Sequence, residues 1–125
     1  MRYSLLMIQP EAGQAGVSQE AIAEAMKAFD LYAKALNDAG VLVSAEVPQP
    51  TTASTTVTLR NGALQVQDGP FADTKEQLGG VFVIDVPDLD AALAWAEKNP
   101  AAQWGSIEIR PTAVYSTDGT WQQAE

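Results

Sequence analysis

The sequence predicts an α+β domain of the ferredoxin-like type, a split βαβ arrangement with an inserted β-hairpin. Two segments with helical spacing of apolar residues each lie between strand-like segments, and a hairpin signal separates the two halves. The 125 residues suffice for one hydrophobic core and are too few for two. We therefore expect one domain over residues 1–116, followed by a polar C-terminal tail over residues 117–125.

The first half of the chain predicts strand, helix and strand. Residues 2–8 form a strand with apolar side chains in both alternating sets, so both of its faces need cover. A helix follows from the cap residue Ser18 to Gly40, and residues 41–47 form a second strand that ends before Pro48. The buried stripe of this helix is expected to be Ile22, Met26, Phe29, Ala33 and Leu36.

The clearest local pattern in the sequence predicts a β-hairpin centred on Asn61-Gly62. This pair suits a two-residue turn whose central positions need positive φ. The resulting register places Leu59 opposite Leu64 and Val57 opposite Val66. The hairpin therefore has one apolar side and one polar side, while the preceding segment Thr51–Ser54 is assigned to a loop.

The second half repeats the strand, helix and strand order. Residues 81–84 form a continuous apolar strand, Asp88 caps a helix that ends at Asn99-Pro100, and Ile107 and Ile109 lie in the last strand. The buried stripe of the second helix is expected to be Leu89, Ala92, Leu93 and Ala96. Two helices cover only one sheet face, and leaving the other in water costs about 25 cal/mol per Å². We therefore expect a homodimer formed through sheet faces.

Composition excludes several classes of protein. Sixteen acidic and seven basic residues give a net charge of −9, which disfavours nucleic acid and anionic membranes as partners. The N-terminal apolar run is too short for a secretory signal, and no stretch reaches the roughly 20 apolar residues of a membrane span, so we expect a cytoplasmic protein. The chain has neither cysteine nor histidine, and no cofactor is expected.

One acidic loop, residues 68–80, is where a site is expected. It combines ionisable groups with glycines and a proline, so Gly69 permits a bend and Phe71 is expected to anchor the loop in the core. A structural turn is the alternative to a site. Asp68 and Glu76 are the candidate proton-transfer groups, and Lys75 is the candidate for holding a substrate anion, unless these three simply form a surface ion-pair cluster.

Two further charged residues belong to the candidate set. Glu46 and Arg110 lie at or near strand ends and are expected to face the same cleft, unless they are ordinary edge charges. Together with Lys75 and Phe71 they form the predicted ligand-binding group. The carboxylates lack the spacing of a calcium loop, so no metal site is predicted.

Asp68-Gly69-Pro70-Phe71 followed by the segment 74–80, Thr-Lys-Glu-Gln-Leu-Gly-Gly, resembles the DGPF branch of the YCII-related family. The resemblance runs from Tyr3 to about Tyr115. It implies a dimeric α/β-barrel with a cleft near the subunit interface, and activity in the family is mostly unassigned. Some relatives resemble small-molecule lyases or dehydrochlorinases with a proposed histidine–aspartate dyad. This chain has no histidine, so only Asp68 matches that dyad.

Three functional hypotheses follow. The leading one is a homodimer of unassigned activity that binds a small organic molecule in an interface cleft. The second is a lyase or isomerase that uses Asp68 or Glu76 for proton transfer. The third is a non-catalytic accessory or interaction protein, so the sequence leaves open whether the chain is an enzyme.

Overall fold

The first half of the chain forms the predicted strand–helix–strand unit. In a computed structural model, which describes residues 1–11 and 16–124, these elements are β1 (Arg2–Pro10), α1 (Gln19–Asp38) and β2 (Leu42–Glu46). The hydroxyl of Ser18 accepts a hydrogen bond from the Ala21 amide at 3.1 Å, and so caps α1. Gly40, with φ of 73°, turns the chain from α1 towards β2.

The predicted hairpin is confirmed in register and in turn. It consists of β3 (Thr55–Arg60) and β4 (Ala63–Asp68), with Leu59 paired to Leu64 and Val57 to Val66. Both residues of the turn, Asn61 and Gly62, have positive φ, at 51° and 77°.

The second half provides β5 (Glu76–Asp85), α2 (Leu89–Lys98) and β6 (Ser106–Pro111). Asp88 caps α2, since its carboxylate accepts from the Ala91 amide at 2.9 Å. The Asn99 side chain then accepts from the Ala101 amide, which starts a short 3₁₀ turn leading to β6.

Four strands form one sheet in the order β2-β5-β1-β6, with antiparallel neighbours throughout. This is the strand order of the ferredoxin-like fold, and the β3–β4 hairpin is inserted between its second and third strands. The predicted α+β class and element order are confirmed. Because β5 lies antiparallel between β1 and β2, those two strands run parallel and end at the same edge of the sheet.

The core lies between one face of this sheet and the two helices. Its buried apolar side chains include Tyr3, Leu5, Met7, Leu36, Phe82, Ile84, Ala92 and Ala96. Tyr32, which the helical stripe of the sequence omits, is also buried, and its hydroxyl donates to the Trp95 carbonyl at 2.7 Å. This bond joins α1 to α2 over the sheet.

Three side chains predicted to be buried are exposed instead, namely Met26, Leu89 and Leu93. In α1 the buried face is rotated towards Tyr32 and Leu36, so Met26 lies in solvent. In α2 the buried positions are Ala92 and Ala96, whose small side chains let the helix approach the sheet closely. The two leucines of α2 are left outside that contact.

The glycine pair Gly79-Gly80 lies inside β5, which starts five residues earlier than the predicted strand at 81. A β-carbon on Gly80 would overlap the end of the Met7 side chain, and one on Gly79 would meet the Gln9 amide. The ladder between β1 and β5 is irregular at the same point, between Met7 and Ile8. These glycines give room for two β1 side chains on the strand next to them.

Part of the predicted polar tail is paired. Strands β7 (Val114–Tyr115) and β8 (Gln122–Gln123) form a small antiparallel ladder. The Arg2 guanidinium lies 3.6 Å from the centre of the Tyr115 ring, so this ladder contacts the start of β1. Neither helix in the described ranges has the length and apolarity needed to cross a bilayer.

Candidate functional site

A cleft of about 510 Å³ lies where the parallel strands β1 and β2 end and β5 begins. The topology brings three segments together there because both parallel strands finish at the edge from which β5 starts. The lining residues come from the end of β1, the segment after β2 and the start of β5, and they are Gln9, Glu11, Val47, Pro48, Gln49, Pro50, Thr51, Thr52, Gln77, Leu78 and Gly79.

A carboxylate bridges two walls of this cleft. Glu11 accepts a hydrogen bond from the Thr51 amide at 2.9 Å and a second one from the Thr51 hydroxyl. A carboxylate with two such donors is held in one orientation, and each charge-assisted bond is stronger than a neutral one. This clasp, Glu11 with Thr51, fixes the loop after β2 against the end of β1.

Two glutamines form another part of the lining. The Gln77 Nε2 donates to the carbonyls of Ala72 and Thr74, at 3.0 and 3.1 Å, and this holds the loop before β5. The Gln9 Oε1 accepts from the Trp104 indole at 2.7 Å. Each amide thus has one end fixed by the protein, and the oxygen of Gln77 and the Nε2 of Gln9 take no part in these bonds.

The acidic loop is held by side chains that bond to its backbone. Gly69, at φ of 113°, donates its amide to the Ser54 carbonyl at 2.8 Å. Its own carbonyl accepts from the Thr56 hydroxyl at 2.8 Å, and the Gln67 amide donates to the Pro70 carbonyl at 3.1 Å. Only a residue tolerant of positive φ suits position 69, so this part of the motif has a structural reason.

The predicted site residues of this loop do not line the cleft. Asp68 ends β4 and Glu76 starts β5, and both are exposed, as is Lys75. Glu76 is the chain neighbour of the lining residue Gln77, whereas Asp68 lies nine residues from Gln77 along the chain. The proton-transfer and anion-binding roles of these three residues stay predictions.

Phe71 does not anchor the loop in the core, because it is 87% exposed. The reason is that the loop is already fixed by the backbone hydrogen bonds of Gly69 and Pro70 and needs no buried side chain to hold it. The expectation of a core anchor was wrong. Phe71 is left as a large aromatic surface on an ordered turn.

The side chains of Glu46 and Arg110 lie on the same face of the sheet, but on its two opposite edge strands. Glu46 pairs with Val81 in β5, while Arg110 lies on β6, beyond β1. Three strand spacings separate these edges, or roughly 14 Å. Arg110 instead forms an ion pair with Glu108, at 3.3 Å. The structure therefore does not bring these two predicted ligand-binding residues together.

A second and larger space, about 650 Å³, is an open groove between the helices. Alanines of α1 and the rings of Tyr32, Trp95 and Trp104 account for much of its lining. Burial raises the pKa of Tyr32 from 10.0 to about 12, so this hydroxyl keeps its proton at neutral pH. The groove is lined mainly by apolar and aromatic side chains together with Glu24 and Lys98, whereas the cleft at the sheet edge is lined by amides, hydroxyls and one carboxylate beside its apolar groups.

Within residues 1–11 and 16–124, no three acidic side chains come together in a way that could hold a metal ion. The lining side chains themselves are mostly amides, hydroxyls and apolar groups, with one carboxylate from Glu11. Such a set suits hydrogen bonding to an organic molecule.

The sequence reasoning missed most of the cleft. Gln9 and Glu11 lie outside the predicted strand over residues 2–8, and Thr51–Ser54 was assigned only to a loop. A usable signal exists in the polar residues at the ends of the two strands of the first βαβ unit. Because those strands are parallel in the predicted fold, Gln9, Glu11 and the segment after β2 that contains Thr51 are expected at the same end of the sheet.

These features define a ferredoxin-like α+β domain with a polar cleft at one sheet edge. Residues 1–115 match the family model described as the YCII-related domain. An uncharacterized protein of Rhizobium meliloti (strain 1021) is 37% identical over 117 residues, which cover 92% of this chain and 94% of that protein. The chain belongs to the YCII-related family.

Proposed function

We propose that this protein is a homodimer that binds a small organic molecule in the cleft at the sheet edge, next to the subunit interface. The observation that supports it most directly is that the cleft adjoins an apolar sheet face that neither α1 nor α2 covers. The cleft offers the binding groups, and the open face offers the surface for a second copy.

The open sheet face is the side opposite the helices. Strand alternation sends Tyr3, Leu5 and Met7 of β1 towards the helices, and therefore Leu6 and Ile8 away from them. Across the ladder, Val81 and Leu78 of β5 are their partners. The apolar side chains of β1 and β5 on this face are half-buried except for Leu78, which is 48% exposed, and they are Leu6, Ile8, Leu78, Val81 and Val83. A second copy that packs face to face would cover this set and form the two-sheet barrel expected of the dimer.

The cleft adjoins this face through Leu78, which belongs to both. A second copy seated on the open face would therefore lie beside the bound molecule and shield it from water. Gln77 and Gln9 would supply hydrogen bonds, and Val47, Pro48 and Leu78 would supply apolar contact.

Light scattering during gel filtration tests the assembly. We expect a particle of twice the 13.3 kDa of one chain. Val83→Lys, on the open face, should shift the population towards the monomer because the lysine charge would be buried in the interface. Met26→Lys is the matched control, since Met26 is exposed on the helix side. A monomer across micromolar concentrations, or equal effects of the two variants, would count against the proposal.

A thermal-shift screen with small metabolites tests the binding. A ligand that binds only the folded state raises the melting temperature, by an amount that grows with its concentration over Kd. Hits should lose their effect in Gln77→Ala, which removes a lining side chain. Failure of a broad screen would favour an interaction role instead.

A further inference from the structure

We infer that the cleft at the sheet edge takes uncharged or cationic ligands that carry hydrogen-bonding groups, and disfavours carboxylates and phosphates. This inference rests on the proposed function, since it specifies the chemistry of the molecule bound in the same cleft. It runs against the sequence-based expectation that Lys75 holds an anion.

The charged side chain in the lining of the cleft is negative. Glu11 is an acid, and no Lys or Arg lines the cleft within the described part of the chain. Residues 12–15, Ala-Gly-Gln-Ala, contain no ionisable side chain and so bring no positive charge either. A ligand carboxylate would therefore meet one negative charge and no compensating base.

The negative charge of Glu11 is fixed in position. The two hydrogen bonds from Thr51 hold the Glu11 carboxylate at the wall, so it does not swing away from an incoming anion. Glu46 and Glu76 are the chain neighbours of the lining residues Val47 and Gln77 and add negative charge close by, which Lys75 beside Glu76 offsets in part. The whole chain, at −9, has the same sign.

The uncharged polar side chains of the cleft favour neutral, hydrogen-bonding ligands. Three glutamines and two threonines line the cleft, and amides and hydroxyls both donate and accept hydrogen bonds. Such groups match a ligand that bears amide, hydroxyl or amine functions. The same groups give an anion no charge-assisted partner of opposite sign.

The test compares probes of one shape and three charges. Benzoate, benzamide and benzylamine, and the cyclohexane analogues of all three, are titrated at pH 7 into the full chain by calorimetry or ligand-observed NMR. We expect benzoate to bind about tenfold more weakly than benzamide at low salt, as a unit charge roughly 10 Å away gives at an effective dielectric of about 20. Benzylamine should bind at least as well as benzamide. Half-molar salt should narrow the difference.

Glu11→Gln supplies the matched variant, because the glutamine oxygen still accepts from the Thr51 amide while the charge is lost. It should raise the affinity for benzoate relative to benzamide several-fold and lower that for benzylamine relative to benzamide, because the charge of the lining is removed. Asp90→Asn is the control, because this exposed residue at the start of α2 follows the end of β5 that lies away from the cleft, and it should alter neither ratio. If Glu11→Gln does not fold, the salt dependence of the unsubstituted protein decides.

Two different results would distinguish failure of this inference from failure of the proposed binding function. Benzoate binding as tightly as benzamide, or more tightly, would overturn the inference while the proposed function stands. Absence of binding for all six probes at millimolar concentration would count against the binding function itself, and the inference would fall with it.

Discussion

The four-stranded sheet and the β3–β4 hairpin have similar local patterns but very different surroundings. In the sheet, the apolar side chains of β1 that face the helices are fully covered, and Leu5 is 0% exposed. In the hairpin, Val57, Leu59, Leu64 and Val66 line one face and are 61% to 65% exposed. Alternation defines an apolar face in both regions, but only a neighbouring element can bury it.

This difference predicts the largest effect on stability. Leu5→Ala should lower the free energy of unfolding by about 2–5 kcal/mol, since it leaves a cavity between sheet and helices. Leu64→Ala should cost less than about 0.5 kcal/mol in dilute solution, because its side chain already lies in water. Urea unfolding at one low protein concentration measures both. Equal losses would contradict the contrast, and a Leu64 loss that grows with concentration would show that a second copy covers the hairpin.

A smaller effect is expected where α1 meets α2 over the sheet. Tyr32→Phe should cost about 1–2 kcal/mol at neutral pH, because the Trp95 carbonyl loses its donor. The raised pKa of Tyr32, about 12 against 10.0, adds a pH dependence. Above pH 10 the unfolded chain loses this proton while the folded chain keeps it, so stability falls from pH 10 to 12.

The size of that loss is roughly 2–3 kcal/mol for a shift of about two pH units. The free energy of unfolding, followed by circular dichroism as the pH is raised, should therefore fall more steeply for the unsubstituted protein than for Tyr32→Phe. Tyr115→Phe, at the half-exposed ladder of β7 and β8, serves as the control tyrosine. Parallel curves for the unsubstituted protein and Tyr32→Phe would contradict the prediction.

The smallest effects are expected at the two ends of the connection between β4 and β5, where Asp68 belongs to the hairpin and Glu76 to the sheet. Asp68→Asn and Glu76→Gln should each change stability by less than about 0.5 kcal/mol, because both side chains are exposed. Neither should remove ligand binding in the thermal-shift assay, since neither lines the cleft. Loss of a ligand response in either variant would instead place that carboxylate in the binding site.

Local signals predicted most of the fold. Ser18 and Asp88 marked both helix starts through hydrogen bonds that depend only on near neighbours. Asn61-Gly62 fixed the hairpin register for the same reason. Errors arose where burial depends on how an element is rotated against the sheet, as for Met26, Leu89 and Leu93.

The cleft was harder to predict because its walls come from three distant segments. Glu11 and Thr51 are 40 residues apart, and no local pattern announces their hydrogen bonds. The conspicuous loop motif drew the search to Asp68 and Lys75, while its less conspicuous final segment, with Gln77 to Gly79, is the part that lines the cleft. Composition identifies candidate residues, but only the strand order says which of them meet.

The chain leaves the four-stranded sheet after Glu46, forms the hairpin, and re-enters the sheet at Glu76, where the cleft lies. The register of β5 is set mainly by its ladder with β1, so the length of this excursion does not determine how the sheet is assembled. The excursion is thus a natural place for grafting. Replacing residues between these two positions with segments from relatives should remodel the cleft's surroundings while the folding scaffold is inherited unchanged.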